Sequence, residues 1–336
     1  MKYSFELIRH PNIQYREPLI RLSICELTMM LESLSVSACV HCETLGNAAF
    51  LSFESRELTE SELCYLSRHS SICFFSINEN ERLLPVAVPS SAYLPEDLPE
   101  VLKYKGKTNA SFTRMMINTA LSLTPFFSEG SAVTVADPLC GKGTSLFSAV
   151  QAGFCAIGIE KEKRFAAEAE VYFSKYLMLH GIKHQKIKKA ETVKGSSVPV
   201  TEFIFSATRD GYRSGDLRSL RIAAGDTSDL KAAARGSIIH VIVADLPYGI
   251  QHAPSGGGQI SSFQSLLDRA LPAWAAVLAR KGSIAVSFNT LTLPRHIVVS
   301  ALSRAGFSPI ESSTLSGLKH SVEQAVVRDV VFAIKS

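Results

Sequence analysis

Between residues 132 and 289, five short apolar runs alternate with amphipathic stretches, and each run ends at or near an acidic or amide side chain. Ala132–Ala136 ends in Asp137, Cys155–Ile159 in Glu160, Leu220–Ala224 near Asp226, Ile238–Ala244 in Asp245, and Ser283–Phe288 at Asn289. Runs this short and this continuously apolar read as strands buried on both faces. The stretches between them have helical spacing. Phe165, Ala169, Tyr172, Phe173 and Tyr176 share one face of Lys161–Leu179; Leu266, Leu267, Ala270, Leu271, Trp274 and Leu278 share one face of Phe263–Leu278. This alternation predicts an α/β domain whose parallel sheet is covered by helices on both sides. In such a sheet ligands bind at the carboxyl ends of the strands, where the five polar residues stand.

The end of the chain breaks that rhythm. Pro309–Leu315 and Gln324–Ile334 are strand-like, and the link between them is too short for a parallel crossover, so they predict an antiparallel hairpin. Residues 1–100 predict a small separate α/β domain. Its expected strands are Ser37–Val40, Ala48–Phe53 and Ile72–Ile77, and its expected helices Pro18–Leu34 and Thr59–Arg68, the second capped by Thr59 or Ser61. Four prolines within Pro85–Pro99 mark the boundary with residues 101–336. Gly181–Gly215 fits no element: with Lys183, Lys186, Lys188, Lys189, Lys194, Arg209 and Arg213 it reads as a solvated insertion or as a basic, substrate-contacting loop.

A hydrophobic fraction of 46% with 20% charged residues describes a globular chain, and a net charge of +4 permits a polyanionic partner without requiring one. Seven scattered cysteines are not a disulfide scaffold. Glu6 and Arg9 interrupt what would be the apolar stretch of a signal peptide, and no run approaches the roughly 20 apolar residues of a membrane span. The expectation is a cytoplasmic protein with no membrane partner. Cys39-Val-His-Cys42 lacks the second ligand pair of a structural zinc site, so no metal is expected.

Two motifs carry the chemistry. Asp137-Pro138-Leu139-Cys140-Gly141-Lys142-Gly143-Thr144 leads from the first strand into a helix. It fails the triphosphate-loop pattern, because Ala136 holds the first glycine position, and the dinucleotide pattern, because residue 146 is leucine. Asp137 would also repel a pyrophosphate. Its carboxylate suits a cationic ligand such as S-adenosylmethionine, whose α-ammonium it could hold directly or through water. Glycines 141 and 143 let backbone approach the ligand, and Cys140 packs within the turn. Glu160, 23 residues after Asp137, is placed to accept from both ribose hydroxyls. Asp226, followed by Thr227, could accept from the adenine amino group, or could simply cap a helix.

The second motif is Asp245-Leu246-Pro247-Tyr248-Gly249, directly after the strongest strand. The exocyclic amine of a nucleobase is a poor nucleophile because its lone pair is delocalised into the ring. Methylating it calls for acceptors that draw on the amino hydrogens. Asp245 is one such acceptor and the Leu246 carbonyl another; Pro247 stiffens the turn, and Tyr248 offers a ring on which the base can stack. Gln251–Gln259, with its run of three glycines, reads as a loop beside that pocket, either a lid or flexible filler, and His252 has no assigned role.

On these motifs residues 101–336 resemble the UPF0020 group of RNA methyltransferases, which includes the THUMP-associated enzymes and the tRNA guanine-N2 methyltransferases. Lys107-Thr-Asn-Ala-Ser is similar to the group's K-T-N-P-S segment, Asp137–Thr144 to its cofactor loop, Asp245–Gly249 to its D-P-P-[YF]-G, and Glu323–Val331 to the closing strand of its eukaryotic-type guanine-N2 branch. Leu246 stands where the group usually has proline, and residues 1–100 carry no recognisable THUMP pattern. The resemblance implies the class I, Rossmann-like methyltransferase fold: a seven-stranded, mostly parallel sheet with a C-terminal antiparallel hairpin. It adds Thr108, Asn109, Pro138, Cys140 and Thr144 to the cofactor-binding set, and implies guanosine N2 in tRNA as the target. Amino-methylation of DNA adenine or cytosine, or of ribosomal RNA, uses the same acceptor geometry. An idle RNA-binding protein of this fold is the alternative of another kind. The sequence names no partner subunit.

Overall fold

The computed structural model describes residues 1–9, 16–80, 82–88, 92–102, 104, 107–128, 133–193, 196–247, 258–323 and 325–336. The first unit runs β1 (Lys2–Leu7), α1 (Arg16–Ser33), β2 (His41–Leu45), β3 (Ala48–Glu54), α2 (Glu60–Leu66), β4 (Ile72–Glu79) and β5 (Arg82–Pro85). Its antiparallel sheet has the order β2-β3-β1-β4-β5, so its first six elements form a ferredoxin-like βαββαβ unit with one strand added at the edge. Tyr3, Phe5 and Leu7 alternate onto the face that packs with Leu27, Met30 and Leu31 of α1 and Leu66 of α2. Thr59 caps α2 in a reciprocal capping box with Glu62.

Two expectations for this unit change. Ser37–Val40 carries no regular structure; the strand begins at His41. The hairpin turn sets this register: Gly46 takes a positive φ of 59° and Leu45 pairs with Ala48, so pairing runs outward from there. β1 was not anticipated, because three alternating apolar residues at a chain end are a weak signal.

The second unit contains α3 (Leu98–Val101), α4 (Ala110–Ser122), β6 (Thr134–Asp137), α5 (Thr144–Gln151), β7 (Cys155–Glu160), α6 (Lys163–Leu179), β8 (His184–Val193), β9 (Ser196–Phe205), α7 (Arg209–Ser214), β10 (Arg218–Ala224), α8 (Leu230–Ala234), β11 (Ile239–Asp245), α9 (Gly258–Val277), β12 (Leu278–Asn289), α10 (Arg295–Arg304), β13 (Phe307–Pro309), α11 (Ser313–Ser316), β14 (His320–Glu323) and β15 (Val326–Lys335). The sheet order is β13-β15-β12-β11-β6-β7-β10-β9-β8, with β14 paired to β15. β10, β7, β6, β11 and β12 are mutually parallel, and β15 lies antiparallel between β12 and β13. This is the class I methyltransferase sheet. Val241 and Val243 of β11 pack with α4, α5 and α6 on one face, while Ile242 and Ala244 pack with α8, α9 and α10 on the other, which is why the run is continuously apolar. After β6 the chain moves outward through β7 and β10, then returns to the opposite side of β6 with β11. The crevice between β6 and β11 is therefore the topological switch point, where open α/β sheets bind ligands.

Two regions differ from the sequence reading. Gly181–Gly215 is neither a solvated insertion nor a loop: it forms the β8–β9 hairpin, which extends the sheet, and α7. Phe203 and Phe205 pack against Phe173 on one face of β9, and Val198 and Val200 join the core of the other face. The lysines of the outer strand mask this pattern; Lys186 and Lys188 both reach Glu170, at 2.7 and 2.8 Å. At the C-terminus Pro309–Leu315 is not one strand. β13 ends at Pro309, and Ser312 caps the short α11, its hydroxyl accepting from the Thr314 amide. Both β13 and β14 pair antiparallel with β15, and β8, β9 and β14 bring the expected seven strands to ten. Among the described residues no helix is long and apolar enough to cross a membrane.

The two units meet along α1 and α4. Leu22, Cys25 and Met29 share a core with Phe112, Met115 and Met116. Within it Glu26 is fully buried and accepts from the Ser70 amide (2.9 Å), the Ser70 hydroxyl (2.5 Å) and Asn118 Nδ2 (2.7 Å). Truncating it takes a charged acceptor from all three donors. Glu26→Ala should lower unfolding free energy by about 3 kcal/mol. Urea denaturation checks this, and a change below about 0.5 kcal/mol would remove the network from the account of the junction.

Candidate functional site

The site is built where β6, β7 and β11 end. Asp137, 5% exposed, turns its carboxylate back into its own loop: Oδ1 accepts from the Leu139 amide at 2.8 Å and Oδ2 from the Ser145 hydroxyl. The loop then runs through Pro138, Cys140, Gly141 and Gly143 into α5. Gly141 and Gly143 have φ of 52° and 91°, and a Cβ at Gly143 would meet Phe147 Cζ at 2.9 Å. The Gly141 Cα faces open space, so bare backbone is presented where a ligand would lie. Beneath the loop Gly158 of β7 gives Cys140 its place: a Cβ there would fall 2.8 Å from the thiol sulfur. Burial, with Asp137 and Glu160 nearby, pushes the Cys140 thiol well above its ordinary pKa, so it is a packing group.

Glu160 ends β7 half-buried. One oxygen accepts from the Gly141 amide and the other from the Glu162 amide, both at 2.8 Å, which fixes the carboxylate against the loop while each oxygen keeps further lone-pair capacity. Asp245 ends β11 and accepts from the Thr108 hydroxyl at 2.5 Å. Leu246 is buried and donates its amide to Ser287 O at 2.9 Å, so strand pairing continues one residue past Asp245; Pro247 is exposed. Tyr248, Gly249, His252 and most of the expected Gln251–Gln259 loop lie outside the described residues; α9 has already begun at Gly258.

Three expected residues have side chains engaged within the fold. Asn109 caps α4, its Oδ1 accepting from the Ser111 and Phe112 amides at 2.8 and 3.2 Å. Asp226 caps the short 3-10 turn after β10, accepting from the Ser228 amide at 3.0 Å and hydroxyl at 2.6 Å, and Arg269 lies 3.3 Å away. Burial opposes its charge but is outweighed by Ser228, Arg269 and Lys161, so its pKa lies below the usual range. Thr227 is buried beneath Trp274, whose indole N–H donates to its carbonyl (3.1 Å) and hydroxyl (3.2 Å).

Two residues were not anticipated. The Tyr104 hydroxyl lies 3.0 Å from Thr144 Oγ1, and the Lys142 ammonium sits 4.9 Å from the Tyr104 ring centre, 5.1 Å from that of Phe165, and 2.5 Å from Glu168. Burial raises the Tyr104 pKa, as do the neighbouring Asp137 and Asp245, and the hydrogen bond to Thr144 opposes this, which puts the ring beside the site's carboxylates. No spacing marks Tyr104. Lys142, between the two glycines, was the more legible of the pair.

The cluster is anionic. Asp137 is desolvated and also feels Asp245 and Glu160; these outweigh its two hydrogen bonds and lift its pKa to about 7. Such a field disfavours phosphate and favours a cation. A sulfonium with an α-ammonium fits the charge of this set of carboxylates. Among the described residues no group of three metal-ligating side chains occurs.

No family model matches the chain, and no curated protein sequence does. Solved structures similar to it include TrmN from Thermus thermophilus, at 14% identity and a TM-score of 0.40, with 89% of this chain and 60% of that one covered. Others are the rRNA methyltransferase aviRa from Streptomyces viridochromogenes (14%, 0.41, covering 69% and 88%) and an S-adenosylmethionine-dependent methyltransferase from Clostridium acetobutylicum (10%, 0.42, covering 69% and 94%). The chain thus spans 60% of the length of TrmN.

In an unfolded chain an aspartate loses its proton near pH 4, whereas folded Asp137 keeps it to about 7. Between those values the native state binds more protons than the unfolded one. Stability is therefore lost as pH rises, by roughly 1.4 kcal/mol per unit and about 4 kcal/mol over the interval. Without ligand, the thermal midpoint of the wild type should fall from pH 4 to 7 more steeply than that of Asp137→Asn. Equal slopes would show that Asp137 does not titrate there.

Proposed function

We propose that the protein is an S-adenosylmethionine-dependent methyltransferase acting on an exocyclic amino group of a nucleobase in RNA, guanosine N2 in tRNA. The observation that carries this reading is the Asp245 carboxylate, fixed by Thr108 at the end of β11, across the switch point from the Gly141–Gly143 turn. When bound, the cofactor supplies an electrophilic methyl group on a positively charged sulfur. The chain's own residues do the rest. Asp245 accepts from the target amine, drawing its lone pair out of conjugation and holding the proton that must leave. The Leu246 carbonyl provides a second acceptor, and Thr108 limits rotation of the carboxylate. Tyr248 stacks on the base. Most of the rate gain then comes from positioning. Residues 1–100 serve as an accessory module that grips the RNA.

The test is incubation with methyl-labelled S-adenosylmethionine and unmodified tRNA, followed by nucleoside mass spectrometry. N2-methylguanosine is the expected product; label in duplex DNA but not in RNA would replace the substrate assignment. Asp245→Ala should reduce transfer by about 10²–10⁴-fold with cofactor affinity nearly unchanged in calorimetry. Unaltered turnover in that variant would end this mechanism. Glu160→Ala should instead weaken cofactor binding by about tenfold or more, since it removes charge-assisted hydrogen bonds to the ribose.

A further inference from the structure

Asp245 is paired across the parallel ladder with Ser287 of β12, and the Ser287 carbonyl accepts from the Leu246 amide at 2.9 Å, so the two strand ends are locked side by side. Strand alternation puts both side chains on one face of the sheet. Asp245 follows Val241 and Val243, which pack toward α4. Ser287 follows Ser283 and Ala285 in the same way, and Ala285 shares a core with Val243 and Phe112. Two hydrogen bonds with the α4 segment fix the face: Thr108 donates to Asp245, and Ser283 donates to Ala120 O.

The Ser287 hydroxyl is the exception on this face. The residue is fully buried, and its Oγ has no hydrogen-bond partner among the described residues. Its ladder neighbour on the other side, Val330 of β15, is buried and apolar. A buried hydroxyl left unbonded lowers stability. Alanine, which the chain uses two residues earlier on this same face, would fill nearly the same space without that cost. An unpaired interior group of this kind calls for an explanation beyond packing. The polar side chain paired with it across the ladder is the Asp245 carboxylate. Neighbouring strands lie about 4.8 Å apart, so rotation about the serine Cα–Cβ bond swings Oγ toward that carboxylate.

We propose that Ser287 is a positioning residue for Asp245, its hydroxyl becoming a second donor to the carboxylate once the target amine is bound. The proposal rests on the reading that Asp245 acts on an exocyclic amine. In the structure Thr108 holds Asp245 Oδ2 from the α4 side. An amine that draws the carboxylate toward itself loosens that contact, and Ser287 then meets the carboxylate from the β12 side. A hydroxyl both donates and accepts. Ser287 can therefore donate to the ionised carboxylate and accept from the carboxylic acid formed when the amine passes its proton to Asp245. The stability given up by burying an unbonded hydroxyl is recovered only along the reaction, which is where binding energy raises kcat.

Full-length Ser287→Ala tests this, with methyl-labelled S-adenosylmethionine and an unmodified tRNA pool as the probe. Its kcat and kcat/KM should fall together by about tenfold, with the KM for RNA and the cofactor affinity within about twofold of wild type. Its thermal midpoint should equal or exceed that of the wild type, since an orphaned hydroxyl is removed. Ser287→Thr, which restores the hydroxyl, should recover most of the lost kcat. If Ser287→Thr does not fold, the kcat and midpoint of Ser287→Ala decide alone. A wild-type kcat in Ser287→Ala, no recovery in a folded Ser287→Thr, or a fall in kcat that comes with a lower midpoint would overturn the proposal while the functional reading stands. If the wild type binds cofactor but methylates neither tRNA nor duplex DNA, the functional reading fails and the role of Ser287 fails with it.

Discussion

The site depends on a carboxylate that the fold buries without a cation. Asp137 must end β6, because the chain can turn sharply there only through Pro138 and two glycines in left-handed conformation, and the side chain is then enclosed by its own loop. Two hydrogen bonds do not offset the lost hydration and the nearby charges of Asp245 and Glu160, so the empty site holds its proton to about pH 7. A ligand bearing an ammonium supplies what the protein lacks. A pyrophosphate would add negative charge beside the Glu160 and Asp245 carboxylates, the same repulsion that helps keep Asp137 protonated, whereas a cation would not.

How much of this could be read from sequence depended on whether burial left a periodic trace. The five central strands were legible because both faces are covered, which writes a continuous apolar run such as Ile238–Ala244 into the chain. The β8–β9 hairpin was not, because its outer strand faces water and its lysines dominate the composition, while the buried Phe203 and Phe205 sit in a run also holding Thr201 and Glu202. Pro309–Leu315 read as a strand, yet Ser312 ends the extended path by capping α11. Asp137, Glu160 and Asp245 were found from their strand-end positions. Thr108 entered only through a family resemblance, and Tyr104 was missed altogether, since neither an aromatic ring under a lysine nor a hydroxyl facing Thr144 imposes any spacing on the sequence.

Glu26 shows why the junction was harder to read than either unit. In α1 it lies within Leu22-Ser-Ile-Cys-Glu-Leu27, where an acidic residue looks like a solvent-facing position. Its burial follows from partners far away in sequence, Ser70 in the loop before β4 and Asn118 in α4. A polar core group of this kind is specified by its contacts, not by local pattern, and it ties the two units in one register because alternative placements would strand the charge.

That register passes through α4. Along one helix, Asn118 bonds Glu26 and the Arg68 carbonyl, Ser122 meets Tyr65, and Asn109 caps the end that carries Thr108. On its other side α4 is fixed to the sheet, where the Ser283 hydroxyl of β12 donates to Ala120 O at 2.6 Å. A rigid helix held at both flanks transmits the position of the N-terminal unit to the hydroxyl that orients Asp245. A displacement of about 1 Å in that docking would move Thr108 out of a 2.5 Å hydrogen bond, and misplacement on this scale is enough to cost about 10²-fold in a reaction governed by positioning. The N-terminal unit therefore contributes to the geometry of Asp245 through α4.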